Sequence, residues 1–158
     1  GSGTILLEVL GAPELLMKYF GIPADYWSFT SFNELRRDAL EVERWNQLHP
    51  EEPQSQSYVE KSFCGRPVTD IAATDYMKIV SDQIQGWVPG TFYSLGTDGS
   101  GRSDARKALR EHFEVDRRFI AVTALTALAE DGALDKKTVS EAIEKYGIDP
   151  DRPDPVTL

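Results

Sequence analysis

The side chains best suited to bind another molecule are concentrated in one glycine-rich stretch. Residues 97–104 read Thr-Asp-Gly-Ser-Gly-Arg-Ser-Asp and lie between an apolar segment and a charged helical segment. Gly99 and Gly101 permit positive φ or close backbone approach, so the stretch is suited to contact. In a strand–loop–helix unit such a loop lies at the carboxyl edge of the sheet, where α/β proteins place functional surfaces. The alternative is a tight turn that only reverses the chain, because Gly-x-Gly without a full fingerprint is unspecific.

Three arginines follow at intervals of four. Arg106 and Arg110 fall on one face of the predicted helix, and Arg102 lies just before its start. Guanidinium groups suit carboxylate or phosphate partners. Residues 102–118 contain six cations and four carboxylates, which gives a local charge of +2. Because the net charge of the chain is −9, the remaining residues carry a charge of −11. The alternative is a solvated helix face on which Arg110 pairs with Glu114.

The other reactive side chains do not predict an active site. His49 and His112 each end a predicted helix, where a cation complements the helix dipole. Cys64 has no base nearby, and we expect it to be buried and inert. No Cys/His cluster with metal-ligand spacing, nucleophile elbow or phosphate-binding loop occurs in the sequence. We therefore expect no catalytic, cofactor-binding or metal-binding residue in this chain.

Composition excludes several classes of protein. A net charge of −9 argues against nucleic-acid binding, which needs a basic surface. A single cysteine fits a reducing cytosol. No apolar run approaches the ~20 residues that span a bilayer. We expect a cytoplasmic protein that binds neither nucleic acid nor membrane, with residues 1–158 forming a single domain.

Helices are predicted from apolar spacing and end signals. The first has Pro13 in its opening turn and ends at Gly21, and a Ser31–Glu34 capping box opens the second, which runs to His49. The others are residues 58–63 ending at Gly65, 74–84 capped by Thr74, 104–112 capped by Ser103, 117–130, and 136–146 between Asp135 and Gly147. Residues 117–130 are apolar nearly all round, so we expect this helix to be buried against the sheet, with Phe119, Ile120 and Leu128 in contact.

Three segments read as strands: residues 25–30, residues 68–73 and the segment that begins at Phe92. Strands alternating with helices predict an α/β domain of three layers. Three strands are few for a sheet covered on both faces. We therefore expect a further strand before Gly1, with the chain being a fragment of a longer polypeptide.

Eight segments of the chain, in this order, carry a resemblance to one family. They are residues 1–6 (Gly-Ser-Gly-Thr-Ile-Leu), 30–35 (Thr-Ser-Phe-Asn-Glu-Leu), 43–50 (Glu-Arg-Trp-Asn-Gln-Leu-His-Pro), 74–78 (Thr-Asp-Tyr-Met-Lys), 95–99 (Leu-Gly-Thr-Asp-Gly), 101–104 (Gly-Arg-Ser-Asp), 112–116 (His-Phe-Glu-Val-Asp) and 146–150 (Tyr-Gly-Ile-Asp-Pro). The chain resembles the C-terminal domain of the homodimeric, bacterial-type pyruvate dehydrogenase, the decarboxylating first component of its complex. The resemblance covers essentially the whole chain.

The resemblance implies a transketolase C-terminal-like domain with a mixed, mostly parallel sheet of about five strands and helices on both faces. The family decarboxylates pyruvate on thiamine diphosphate with magnesium and acetylates the lipoyl group of the dihydrolipoyl acyltransferase. The resemblance implies a homodimer whose cofactor is held by upstream domains, so this domain is structural and not catalytic alone. The family has phenylalanine between the two loop glycines, where this chain has Ser100.

We interpret the glycine-rich loop as an inter-domain or inter-subunit contact. The predicted interface residues are Thr97, Asp98, Gly99, Gly101, Arg102, Ser103, Asp104 and Arg106. Two alternatives stay open: a module that binds an anion or an acidic partner, and the same domain of a related 2-oxo acid dehydrogenase or transketolase.

Overall fold

The computed structural model describes residues 1–64 and 69–157 of the chain. The α-helices are α1 Leu6–Phe20, α2 Phe32–Leu48, α3 Tyr58–Phe63, α4 Lys78–Asp82, α5 Arg106–His112, α6 Arg117–Glu130 and α7 Lys136–Lys145. Short 3-10 turns are Gly3–Ile5, Gln85–Trp87 and Pro155–Thr157, and the strands are β1 Asp70–Ala73 and β2 Phe92–Leu95. None of the helices in this described part is long and apolar enough to cross a bilayer.

The two strands pair in parallel, with Asp70 opposite Phe92 and Ala73 opposite Leu95. Side chains alternate between the faces of a strand. Leu95 packs on the cluster that contains Val9 of α1 and Ile120 of α6. On the opposite face, the Ser94 hydroxyl accepts a hydrogen bond from Ser81 of α4 at 2.9 Å. Helices therefore cover both faces, which confirms the three-layer α/β class.

The sheet has two strands within the described residues, where about five were expected. Residues 25–30, predicted as a strand, adopt no regular structure. Their aromatic side chains pack laterally instead: Phe29 stacks on Phe32 at 5.4 Å and Trp27 lies 5.9 Å from Phe63. The aromatic residues predicted a strand because such residues are enriched in sheets, where they are partly buried. Packing against neighbouring rings buries the same residues without a strand. The strand expected before Gly1 stays a prediction.

Among the described residues, three clusters of buried side chains form the core. The first joins α1, β1 and α6 through Ile5, Val9, Ala12, Ala73, Val115 and Ile120. The second joins α1, α6 and α7 through Leu16, Ala121, Leu125, Ala142 and Tyr146. The third joins α2, α3 and the segment after α4 through Phe32, Val59, Phe63, Ile84 and Val88. Helix α6 therefore lies between α1 and α7 and touches the sheet through β1.

Helix α1 begins at Leu6, so Pro13, which was expected in the opening turn, lies inside the helix. Proline inside a helix leaves one carbonyl without its usual donor and normally marks a boundary. Here Val9 and Ala12 are buried against α6, so the helix extends through Pro13 to Phe20. Gly21 follows in the left-handed region with φ 67°, as the end signal predicted.

Two predicted caps do not form: the Thr74 side chain is used elsewhere, and α5 begins three residues after Ser103. The buried Thr74 hydroxyl accepts a hydrogen bond from the Ser2 hydroxyl at 2.8 Å, and α4 begins at Lys78 after Met77. Ser103 does not cap α5, which begins at Arg106 after Ala105. Asp104 instead accepts a hydrogen bond from the Ala105 amide at 2.6 Å.

The remaining helix predictions hold with local corrections. Ser31 accepts from the Glu34 amide, but the Glu34 carboxylate binds Arg37, so the reciprocal capping box is absent there. A full box forms at Ser57 and Glu60 instead. The predicted end of α3 at Gly65 and the strand start at Val68 lie outside the described residues.

The bounds predicted for α6 are confirmed, and α7 ends at Lys145, one residue before its prediction. Asp116 caps α6 by accepting from the Arg118 and Phe119 amides, a cap that the sequence reading missed. Phe119 and Ile120 are buried as expected. Leu128 is only half-buried, and Leu125 occupies the core position instead.

Candidate interface site

The first part of the glycine-rich loop is fixed to the turn that follows β1. A Cβ on Gly96 would lie 2.6 Å from the Tyr76 carbonyl oxygen and 2.7 Å from the Lys78 nitrogen, so only glycine fits. The Thr97 amide donates to the Tyr76 carbonyl at 2.8 Å, and the Thr97 hydroxyl donates to the Asp75 carbonyl at 2.9 Å. Asp98 accepts from the Lys78 amide at 3.1 Å. The two loops at the carboxyl edge of the sheet are therefore joined.

The second part of the loop extends into solvent. Residues 99–106 are exposed, including the predicted contact residues Gly99, Gly101 and Ser103. Gly99 has φ 89° and approaches the C-terminal segment, where its added Cβ would lie 3.0 Å from Pro155. Gly101 has neither a positive φ nor any heavy atom within 4 Å of an added Cβ, so the expected requirement for glycine is wrong at this position.

The three arginines do not form one stripe. Arg102 Nη1 lies 3.1 Å from His112 Nδ1. Arg106 is exposed and forms no ion pair with the described residues. Arg110 points inward: its guanidinium lies 2.6 Å from Glu8 and donates to the Thr4 carbonyl at 3.1 Å. The sequence therefore predicted the charge of this region correctly but not the different environments of its members.

The alternative pairing of Arg110 with Glu114 is also wrong. Glu114 follows α5 in the left-handed region, with φ 59°, and its carboxylate lies 3.4 Å from Arg152 of the C-terminal segment. Burial raises the pKa of Glu114 against the opposing effect of Arg152. Arg152 also lies over the Phe119 ring at 5.5 Å, so this contact holds the C-terminal segment against α5 and α6.

Glu8 of α1 is a buried carboxylate that the sequence reading did not single out. It accepts hydrogen bonds from Arg110 at 2.6 Å, from the Arg117 side chain at 2.9 Å and from the Arg117 amide at 3.2 Å. Burial raises the pKa of Glu8, but the hydrogen bonds and charges of the two arginines outweigh it, so the pKa lies below its usual value. The sequence signal was an acidic residue within an apolar helix.

Two grooves open beside these charges. One of about 310 Å³ lies between the loop and the start of α1, with the exposed Arg102 and Arg106 on its rim and Leu109, Arg110 and Phe113 among its walls. A second, of about 440 Å³, is lined by Glu8, Arg106, Lys107, Arg110, Asp116, Arg117 and Arg118. They share Arg106 and Arg110 as lining residues, and we call the two together the α5 groove.

The remaining candidate residues have structural environments. His49 stacks on Trp45 with ring centroids 4.5 Å apart, and His112 lies against Phe113 at 4.8 Å. Cys64 is exposed, which corrects the expectation that it is buried. Within residues 1–64 and 69–157, no three His, Cys, Asp or Glu side chains lie together as a metal site would require.

Comparison with known proteins gives concordant matches. Residues 1–116 match the family described as the transketolase-like TK C-terminal domain. The chain is 58% identical over 157 residues, 99% of its length, to the pyruvate dehydrogenase E1 component of Pseudomonas aeruginosa. It is 47% identical over 158 residues (100%) to that of Cupriavidus necator and over 156 residues (98%) to that of Escherichia coli K12. The chain spans only 18%, 18% and 17% of these three relatives.

Proposed function

The chain belongs to the transketolase-like C-terminal domain family and matches the C-terminal region of pyruvate dehydrogenase E1 components, and from this premise we propose that it is the C-terminal structural and interface domain of such an enzyme. The observation that carries the proposal is identity of 58% over 99% of the chain. The activity proposed for the whole protein is decarboxylation of pyruvate and reductive acetylation of the lipoyl group of a dihydrolipoyl acyltransferase. The partners proposed for it are a second subunit, the upstream domains of the same polypeptide and that acyltransferase. The proposed location is the cytoplasm.

Thiamine diphosphate and magnesium are the cofactors proposed for the whole protein. The described residues do not fit them, because no three of their carboxylate, histidine or cysteine side chains lie together, and Glu8 and Asp116 are already engaged with arginines. A magnesium ion is usually held by one or two carboxylates together with the phosphate oxygens of its ligand. We therefore assign the cofactor to other parts of the protein and no chemical step to this chain.

We also propose that residues 1–158 form one domain, although the family match ends at residue 116. Support comes from α6 and α7, which follow that limit. Ile120 packs with Val9 and Ala73, while Ala142 of α7 packs with Leu16 of α1. Removing α6 and α7 would expose the buried face of α1, so the C-terminal helices complete the same core.

The interface role is proposed for Thr97, Asp98, Gly99, Gly101, Arg102, Ser103, Asp104 and Arg106. The geometry supports it in two ways. Thr97 and Asp98 anchor the loop to the turn after β1, so its position is defined. Residues 99–106 are exposed beyond that anchor, where a neighbouring domain or subunit can reach them.

Cofactor binding tests the proposal that this chain is an interface domain and that other parts of the protein hold the cofactor. The 158-residue chain, once shown to be folded by circular dichroism, is titrated with thiamine diphosphate and Mg²⁺ in a calorimeter, beside the whole polypeptide. We expect heat of binding and pyruvate decarboxylation only from the whole polypeptide. Micromolar binding to the folded chain alone would contradict the proposed role, and so would a whole polypeptide that does not act on pyruvate.

A further inference from the structure

We infer that the α5 groove docks an acidic polypeptide segment that carries an apolar anchor side chain. The inference rests on the proposed interface role and adds the chemistry of the partner. It draws on three features of the groove: its unpaired cations, its engaged carboxylates and its apolar walls.

The cations of the α5 groove exceed its carboxylates by three. Arg106 and Lys107 are exposed and form no ion pair with any described residue. Arg117 makes one side-chain contact, to Glu8, and remains 43% exposed, so part of its guanidinium is free to bind a partner.

The three carboxylates of the groove are already engaged, so the excess of positive charge remains. Asp75 accepts hydrogen bonds from the Thr4 amide and hydroxyl, both at 3.1 Å. Both oxygens of Glu8 are engaged by Arg110 and Arg117. Asp116 caps α6 through one oxygen and accepts from the Arg118 guanidinium through the other, at 2.6 Å. The groove thus keeps positive charge in a chain whose net charge is −9. An acidic segment is attracted to this face and repelled by most of the remaining surface.

The apolar walls favour a polypeptide over a small anion. Leu109 and Phe113 are half-buried between the arginine rim and the buried side chains of Ile5 and Val115. Interfaces derive much of their binding energy from an apolar anchor in such a position, surrounded by polar contacts. A phosphate ion would gain nothing from these apolar walls. An acidic segment with one apolar side chain uses both the rim and the walls.

The experiment uses the whole polypeptide that carries this chain and a labelled peptide of glutamates around one central leucine. Binding is measured by fluorescence anisotropy at low ionic strength. Two further peptides carry serine in place of leucine or glutamine in place of glutamate, and inorganic phosphate is the competitor. We expect the acidic peptide with leucine to bind at least about tenfold more tightly than either comparison peptide, and phosphate at millimolar concentration to leave it bound.

The protein variant is Arg106→Glu with Lys107→Glu, and the matched control is Arg36→Glu with Lys136→Glu. Arg36 and Lys136 are exposed cations on α2 and α7, without ion pairs to the described residues. We expect the first pair to weaken binding at least about tenfold, or 1.4 kcal/mol, and the control pair to leave it unchanged. Thermal unfolding of both variants establishes that each is folded.

Four results would overturn the inference: equal binding of the serine peptide, displacement by phosphate, equal weakening by the control pair, or occupation of the groove by a second copy of the chain. The last result is tested by sedimentation of the whole polypeptide without peptide. A second copy occupies the groove if Arg106→Glu with Lys107→Glu both dissociates the subunits and abolishes peptide binding. A failure here differs from failure of the proposed function, which is judged by cofactor binding and pyruvate decarboxylation.

Discussion

At the scale of single residues, two buried contacts fix the candidate site. Glu8 holds Arg110 and Arg117, and thereby ties α1 to the corner between α5 and α6. Gly96 lets β2 pass within contact distance of the Tyr76 and Lys78 backbone. Neither residue lies in the exposed part of the loop, residues 99–106. Gly96 permits the contacts that hold the start of the loop, and Glu8 holds the helices that follow it.

Glu8→Gln is expected to destabilise the protein by about 3 kcal/mol at neutral pH, because removing one partner leaves buried arginine charge uncompensated. The pKa of Glu8 is lower in the folded than in the unfolded protein, so its contribution is present above the unfolded pKa of 4.5 and lost as pH falls through the folded pKa. The measurement is the free energy of unfolding of both proteins from pH 7 to pH 3.

The difference between the two proteins isolates Glu8 from Glu114, whose raised pKa contributes with the opposite sign. Glu34→Gln, which removes an exposed pair with Arg37, serves as the matched control and is expected to show no such pH dependence. A stability difference for Glu8→Gln that is the same at pH 3 and pH 7 would refute the electrostatic role.

Gly96→Ala is expected to disturb the join between the two loops, since the added methyl carbon meets backbone atoms at 2.6 and 2.7 Å. The expected effect is a loss of 1–3 kcal/mol, roughly that of overpacking, and faster hydrogen exchange at the Thr97 and Lys78 amides. Gly101→Ala is the control, because that position is open. Equal exchange rates in the two variants would show that the close approach does not hold the loop.

At the scale of elements, α6 joins the parts of the core. Its N-terminal half packs on β1 and α1, and its C-terminal half packs between α1 and α7. Leu125 lies at this second contact and is fully buried, whereas Leu128 is only half-buried.

Leu125→Ala is therefore expected to cost about 2–5 kcal/mol, as core truncations do. Leu128→Ala is expected to cost less than half as much, and Leu48→Ala on the exposed face of α2 about 0.5 kcal/mol or less. Denaturant unfolding of the three variants provides the comparison. Equal costs for Leu125→Ala and Leu128→Ala would mean that α6 is rotated relative to its described orientation.

The elements that were predicted correctly from sequence are those whose signals are local. The bounds of α6 follow from its apolar composition, and β2 follows from a short apolar run before a turn. The starts of α1 and α4 were wrong because contacts distant in sequence decide them, whereas the contact beside the start of α5, from the Ala105 amide to Asp104, is local. Thr74 bonds to Ser2 instead of capping α4, and burial of Val9 extends α1 through Pro13.

The candidate site shows the same division. The exposure of residues 99–106 and the positive charge near α5 follow from composition. The inward turn of Arg110 does not, because Glu8 lies 102 residues away and no spacing rule links them. Glycine-rich sequence alone also did not distinguish Gly96, which packing requires, from Gly101, which nothing in its surroundings constrains.

At the scale of the whole molecule, the described parts combine a connected core with one exposed, locally basic corner. The chain spans 18% of its Pseudomonas aeruginosa relative, so most of the proposed enzyme lies outside it. We propose that the domain contributes contacts to that enzyme and that the exposed loop, residues 99–106, forms one of them.

The measurement that tests this claim most directly is sedimentation of the whole polypeptide with Arg102→Ala and Arg106→Ala, accompanied by its rate of acetyl transfer. Charge-assisted contacts at an interface contribute about 1.5–3 kcal/mol each, so we predict weaker association of subunits or slower acetyl transfer, with unchanged thermal unfolding. Arg36→Ala with Lys136→Ala is the matched control, expected to behave as the unmodified protein. Sedimentation and acetyl transfer that are both unchanged in the Arg102/Arg106 variant would contradict the interface role and leave the loop a simple turn.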